Sequence, residues 1–295
     1  MRYGIKVNPP ETLAVEWRAI YGEPAEFFVK ARRLGADFVE FVFEEGSVTA
    51  DVLALGRLAA QAGLFSAAHP YLFGPMAAEA FSPVGAGKLF EPLLDLGQRL
   101  SDLTGRPLDM VFHGGHANVK PHNRGLAQAT SAARQFFRWA AQQTAARFPG
   151  VRILCETQMP HERGNDGLVR VGDTYETAMA LVEGSDVRLC WDFGHTFSAV
   201  LLGKHAELPG QTFVRRVGHV HAHDTAKTPA GAIDHRPLGE NLCPWRQYMR
   251  MLKDVGFDGN MLFEVGLLPL GGYGGLSRML EYSIREVEAV GAKKA

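Results

Sequence analysis

Cysteine is scarce in this chain. Only Cys155, Cys190 and Cys243 occur among its 295 residues. They are odd in number and widely spaced, and two fall inside expected strands, which argues against a disulfide framework and against a thiolate metal or iron–sulfur site. Neither sign of charge is in excess: 31 Lys and Arg against 32 Asp and Glu leave a formal net charge of −1. That balance gives no overall pull toward nucleic acid or an anionic membrane, although it leaves room for a local basic strip. No apolar run reaches membrane-spanning length, and Met1 leads straight into the strand-like Tyr3–Val7 without a basic and then apolar leader. A soluble, cytoplasmic protein with no membrane partner is the expectation. Linker-like Pro/Gly/Ser tracts and blocks of like charge are missing too, so one domain over 1–295 is expected.

What the chain does have is an alternation of short apolar runs with amphipathic stretches. Strands are expected at Tyr3–Val7, Phe38–Phe43, Leu64–His69, Leu108–His113, Val151–Glu156, Val187–Asp192, Val217–His221 and Met261–Glu264. The helices between and after them are expected at Pro24–Leu34, Thr49–Ala62, Lys88–Leu103, Leu126–Phe148, Thr174–Val182, Thr196–Leu202, Pro244–Val255 and Leu276–Val290. Pro24 suits a first helical turn, Thr49 an N-cap, and Gly35 and Gly63 suit helix stops. Eight βα units in α/β alternation favour a closed (β/α)8 TIM barrel over an open doubly wound sheet, with the active site at the C-terminal ends of the strands. The long polar segments 114–125, 157–173 and 223–241 all follow strands, where such a barrel builds its site.

Four of the expected strands end in a potential metal ligand: Glu156, Asp192, His221 and Glu264. Side chains alternate along a strand, so Glu156 shares a face with Leu154 and Asp192 with Cys190, while His219 and His221 share a face one layer apart. Read singly, each acid could be a helix N-cap or an arginine partner, but four in phase point to one site. Carboxylates with an imidazole make a mixed oxygen and nitrogen donor set that suits Mn²⁺, Co²⁺, Mg²⁺ or Zn²⁺. His69 and His113 end earlier strands and are additional candidates for metal or substrate, against the plainer reading of neutral imidazoles hydrogen-bonded at the barrel rim. Phe136, Phe137 and Trp139 read as barrel packing, as does Trp191, which faces away from Asp192. Trp245 is either a pocket wall or an anchor for its helix.

The runs Ile153-Leu154-Cys155-Glu156, Trp191-Asp192-Phe193-Gly194-His195, His219-Val220-His221-Ala222-His223-Asp224, Pro237-Leu238-Gly239-Glu240 and Phe263-Glu264 occur in this order. With Gly35-Ala36-Asp37-Phe38-Val39-Glu40, they resemble the motifs of the xylose-isomerase-like TIM-barrel superfamily across essentially the whole chain. That superfamily holds sugar isomerases and epimerases, inositol-catabolism enzymes and the endonuclease IV class. The resemblance implies a shared divalent-metal site at Glu156, Asp192, His221 and Glu264. For ketose 3-epimerases it also implies that Glu156 and Glu264 exchange the substrate proton through a metal-stabilised enediolate. Glu162, His195, Lys227 and Arg236 are then substrate-binding candidates, with Lys227 standing where those epimerases carry an arginine. The endonuclease IV resemblance instead makes His69, His113, His195, Asp234 and His235 further ligands of a multinuclear zinc cluster. Here the order Asp234-His235-Arg236 permutes the nuclease's Asp-Arg-His, and Gly4-Ile5-Lys6-Val7 lacks its first-strand histidine.

An isomerase or epimerase of a small sugar, sugar phosphate or related polyol or keto compound is therefore the first expectation. An endonuclease IV-like zinc phosphodiesterase acting on abasic DNA is the alternative, and nucleic acid is a partner only under that alternative. A non-catalytic sugar-binding barrel would be signalled by a lost ligand, and none is lost. Lys120, Arg124, Arg163 and Lys227 supply basic groups that suit either a sugar phosphate or a DNA backbone. Homo-oligomerisation is compatible with the chain, but no segment marks an interface.

Overall fold

The computed structural model describes residues 1–8, 22–44, 49–71, 83–118, 124–160, 168–228, 231–239, 243–265 and 273–290. Eight parallel strands close into a barrel: β1 (Arg2–Val7), β2 (Phe38–Glu44), β3 (Phe65–Tyr71), β4 (Leu108–His113), β6 (Val151–Glu156), β8 (Arg188–Asp192), β9 (Val217–Ala222) and β12 (Asn260–Phe263). Each pairs with its neighbours in chain order, and β12 returns to β1, with Arg2 opposite Asn260 and Ile5 opposite Phe263. Around them lie α1 (Pro24–Arg33), α2 (Thr49–Gln61), α3 (Pro83–Asp102), α4 (Arg124–Arg147), α5 (Tyr175–Val182), α6 (Phe193–Leu201), α7 (Gln211–Arg216), α8 (Trp245–Asp254) and α9 (Tyr273–Ala289). The expected closed (β/α)8 TIM barrel is the observed one.

Local chemistry explains where several elements begin and end. Pro24 occupies the first turn of α1, and Gly35 and Gly63, at φ +97° and +80°, take the left-handed conformation that ends α1 and α2. Thr174 caps α5 in a reciprocal exchange with Thr177. The side chain of Thr49 lies outside the described residues. No helix among the described residues is long and apolar enough to cross a membrane.

Three features were not expected, two of them in the long polar segments. Segments 114–125 and 157–173 contribute β5 (His116–Asn118) and β7 (Leu168–Arg170), which pair with each other antiparallel. Segment 223–241 folds back as the antiparallel pair β10 (Asp224–Thr228) and β11 (Gly231–Arg236). The short helix α7 leads directly into β9.

Two packing layers hold the strands in place. Outside the barrel, the helices bury a continuous apolar core that includes Phe27, Phe28, Phe90, Phe136, Phe137, Trp191 and Trp245. Phe90, Phe112 and Phe136 meet at centroid distances of 4.5 to 5.8 Å, so the α3 and α4 aromatics do pack against the barrel. Trp245 is buried in the same core, which decides for the anchor and against the pocket wall. Inside the barrel the apolar filling is sparse: Phe38, Phe65, Ala67 and Leu262 form one cluster and Val111, Leu154 and Cys190 another. A side chain on Gly4 would collide with the Phe38 ring, so glycine there lets that ring plug the barrel. All three cysteines are buried and free.

Candidate metal centre

Alternation along the parallel strands brings one inward row of side chains to the C-terminal mouth. Lys6, His69, His113, Glu156, Asp192, His221 and Glu264 come from β1, β3, β4, β6, β8, β9 and the end of β12. All but the half-exposed Lys6 are buried. Three carboxylates converge on one nitrogen: His221 Nδ1 lies 2.9 Å from Glu264 Oε2, 3.3 Å from Glu156 Oε1 and 3.8 Å from Asp192 Oδ2. One donor atom from each of these four residues lies within 4.8 Å of the others.

The electrostatics ask for a cation. Glu156 Oε2 and Glu264 Oε2 are buried, yet among the described residues neither accepts a properly aligned hydrogen bond. Their charge is faced by imidazoles without aligned hydrogen bonds, a costly arrangement in a buried site, and a bound divalent ion would satisfy this oxygen-rich donor set. Burial pushes both carboxyls up, but neighbouring positive groups outweigh it and hold both well below the usual range. For Glu156 these are His113, His221 and His69, and for Glu264 they are Lys6, His221 and His235. Lys6 Nζ donates to Glu264 Oε1 at 3.0 Å. Burial opposes a charge on His221. The groups around it, Cys190 when ionised and the carboxylates of Glu40, Glu156 and Glu264, nevertheless keep its proton affinity well above that of an ordinary imidazole. A divalent ion at the mouth would replace that proton.

Of the four further donor groups among the described residues, two flank this one at the mouth. His113 Nε2 and His69 Nδ1 stand 2.9 and 3.5 Å from Glu156 Oε2, forming a triad that shares Glu156 with the first group. Burial, reinforced by His113 and His221, holds His69 down at about 4 against the pull of Glu156, so it is a neutral imidazole at neutral pH. On the other flank, His195, His223 and His235 form a second triad. His195 Nδ1 lies 3.2 Å from Glu156 Oε1 and 3.3 Å from Asp192 Oδ2, and His235 Nε2 lies 3.3 Å from Glu264 Oε1.

The chain matches the family model described as xylose isomerase-like TIM barrel over residues 28–271. It belongs to that family. No curated protein sequence matches it. Solved structures similar in fold include a D-allulose 3-epimerase from Methylomonas sp., at 15% identity over 98% of each chain with a TM-score of 0.63. Others are a D-psicose 3-epimerase from Clostridium cellulolyticum H10 with D-tagatose and an IolI protein with a bound zinc atom. The first is 14% identical over 98% of this chain and 99% of that one, with a TM-score of 0.60. The second is 15% identical over 97% and 95%, with a TM-score of 0.59. At such identities the likeness establishes the fold.

In this xylose isomerase-like barrel, the expected residues Glu156, Asp192, His221 and Glu264 share one cluster, with His69, His113, His195 and His235 around it. Arg236 sits at the base of the β10–β11 hairpin, opposite Asp224. Asp234 and Lys227 lie on that hairpin with side chains outside the described residues, as do the side chain of Arg124 and the whole of Lys120, Glu162 and Arg163. Asp192 is a helix N-cap as well: its Oδ1 accepts the His195 backbone N–H at 2.6 Å, opening α6. The N-cap and ligand readings of this aspartate are therefore compatible. Behind it, Trp191 faces outward, stacks among Phe193, Phe213 and Tyr248, and donates Nε1–H to Thr196.

Sequence reasoning passed over a polar ladder inside the barrel beneath the site. Glu40 Oε1 lies 3.0 Å from His221 Nε2, and Glu40 Oε2 lies 3.1 Å from His219 Nε2, neither aligned as a hydrogen bond. Burial works to raise the Glu40 carboxyl, but His221 and His219 outweigh it and hold it at about 2. His219 Nδ1 meets Asp109 Oδ2 at 3.0 Å, and Asp109 also accepts from Asn260 Nδ2 at 2.6 Å and Arg152 Nε at 2.8 Å. The ladder thus runs from the back of His221 to an arginine at the opposite end of the barrel. A carboxylate behind a ligating imidazole orients the ring and raises its basicity. The available signal was polar residues in the inward phase of their strands: Asp109 four before His113, His219 two before His221, and Glu40 two after Phe38.

Proposed function

We propose that the protein is a divalent-metal-dependent isomerase or epimerase of a small sugar, sugar phosphate or related polyol or keto compound. The observation that carries this reading is the pair of buried carboxylates, Glu156 and Glu264, that reach the same imidazole nitrogen of His221 from two different strands. Glu156, Asp192, His221 and Glu264 would hold the ion, which supplies Lewis acidity toward a carbonyl and its neighbouring hydroxyl and so lowers the cost of removing the proton between them. Epimerisation needs one group to take that proton and one to return it. Both glutamates are anions at neutral pH, so either can accept, and Lys6 beside Glu264 Oε1 steadies that carboxylate in its charged form. His195 and His235, at the edge of the cluster, are placed to hold substrate hydroxyls. The buried walls of the mouth limit competing water.

A second reading rests on a separate observation. The triad His69, His113 and Glu156 shares a carboxylate with the first group, and His195 with His235 offers nitrogens on the other flank. Those donors suffice for more than one ion, as a zinc phosphodiesterase acting on abasic DNA would require. Metal content by elemental analysis, paired with ketose incubation in D2O and a nicking assay on abasic DNA, separates the two. About one exchangeable Mn²⁺, Co²⁺ or Mg²⁺ per chain with solvent deuterium entering a ketose supports the isomerase. About three zinc ions per chain with strand cleavage overturns it in favour of the phosphodiesterase.

A further inference from the structure

His223 stands between β9 and β10, fully buried, one residue past the end of the barrel strand that carries His221. Its two ring nitrogens make different contacts. Nδ1 lies 2.9 Å from the backbone nitrogen of His235 and 3.3 Å from the Asp224 carbonyl oxygen, and Nε2 lies 3.0 Å from both Asp192 Oδ1 and Oδ2. A backbone N–H only donates, so the shorter of the two Nδ1 contacts is made when Nδ1 is the bare, accepting nitrogen and Nε2 carries the proton given to Asp192. The shorter contact favours this tautomer, and the network makes His223 a link between the Asp192 carboxylate and a hairpin.

The hairpin end of that link is unusual. His235 has φ +54°, and among the described residues it is the one non-glycine in the left-handed region. Its imidazole lies flat on that of His223, with centroids 4.5 Å apart and planes 10° apart, and its Nε2 reaches Glu264 Oε1 at 3.3 Å. The other face of the His223 ring rests on Gly194, where any side chain would collide with it. The ring is thus clamped between α6 and the hairpin, with one nitrogen serving each.

We propose that His223 is a positioning residue that couples the two sides of the site: it orients the Asp192 carboxylate toward the metal position and fastens the β10–β11 hairpin that delivers His235 to Glu264. Ordering the metal ligands and seating the hairpin are then linked through one ring, so that each favours the other in wild type while either end of the link can be cut by itself. This inference rests on the reading of Asp192 as a metal ligand.

Two substitutions divide the functions of the ring. In His223→Asn the amide oxygen replaces Nδ1 and keeps the bond to His235, while nothing reaches Asp192. In His223→Gln the amide nitrogen replaces Nε2 and keeps the bond to Asp192, while nothing accepts from His235. The readouts are the Co²⁺ dissociation constant and hydrogen exchange across residues 231–236, measured on the full chain, with wild type measured with and without Co²⁺. Expected are a Co²⁺ affinity reduced about tenfold to a hundredfold in His223→Asn with the hairpin still protected, and the reverse pattern in His223→Gln, with exchange roughly tenfold faster and affinity little changed. In wild type, Co²⁺ should slow exchange across 231–236. Equal losses of both properties in both variants, or two variants indistinguishable from wild type, overturn the proposal. So does a wild-type His235 amide that exchanges as fast as an exposed one, a result that needs no variant. A wild-type protein that binds no Co²⁺ but protects the His235 amide overturns the metal reading and with it the coupling, leaving only the hairpin bond.

Discussion

Replacing Gly194 with alanine tests the packing of the site directly. The added methyl would stand 2.9 Å from His223 Nε2 and closer still to Cε1 and Nδ1. Those are atoms of a rigid, fully buried ring held on one side by Asp192 and on the other by the His235 backbone. In an unobstructed helix the change would add up to about 1 kcal/mol of stability. Overpacking works against this by about 1–3 kcal/mol. Displacing the ring from the Asp192 carboxylate loses a hydrogen bond to a charged group, worth about 1.5–3 kcal/mol. The net expectation is a loss of roughly 2–4 kcal/mol, or about 3–6 °C in melting temperature for a chain of this size. Gly87→Ala is the control, because the nearest obstacle to its methyl is the flexible tip of Glu91 at 3.3 Å, and it should hold or raise stability. Thermal and urea unfolding of both metal-free variants provide the assay. A Gly194→Ala protein as stable as wild type would refute the packing and the clamped ring inferred from it.

Glu264→Gln should lower turnover of an identified ketose substrate by about a hundredfold or more with unchanged circular dichroism, and full activity would sink its proton-transfer role. Below the ordinary imidazole value, the raised histidines are protonated in both folded and unfolded chains and contribute no slope. His69, depressed to about 4, remains neutral when folded while the unfolded chain takes up a proton. Metal-free protein should therefore lose roughly 3 kcal/mol as pH falls from about 6.5 to 4, and urea titrations of His69→Asn should show a flatter profile over that range. An unchanged slope in that variant assigns the loss elsewhere. Trp191→Ala removes the outward anchor behind Asp192 and should cost about 3–5 kcal/mol in chemical denaturation. A cost below about 1 kcal/mol would contradict its place in the aromatic core.

The barrel was legible because parallel strands buried on both faces read as short apolar runs, and β4 and β6 were placed to the residue. The clustering of Glu156, Asp192, His221 and Glu264 was legible for a related reason: each ends such a run in the inward phase. What stayed hidden depends on closure of the barrel. Glu40, Asp109 and Asn260 are polar residues in strands, and only the closed cylinder makes their face an interior where they must pair with His219 and with each other. The β5–β7 and β10–β11 pairs are short and polar, and their pairing comes from the tertiary meeting of loops rather than from periodicity. His223 was quoted in the His219–Asp224 run but given no role, because it lies two residues past the strand expected to end at His221. Its role follows from a backbone N–H twelve residues later.

If Glu156, Asp192, His221 and Glu264 together bind a divalent ion, Co²⁺ titration of metal-stripped wild type beside Glu156→Gln, followed by calorimetry, will show it. Expected are saturable binding of at least one Co²⁺ per wild-type chain and an affinity lowered at least a hundredfold in the variant, since Glu156 belongs to both the four-residue group and the triad with His69 and His113. Wild type that binds no Co²⁺, or a Glu156→Gln variant that binds it as tightly, would contradict the claim.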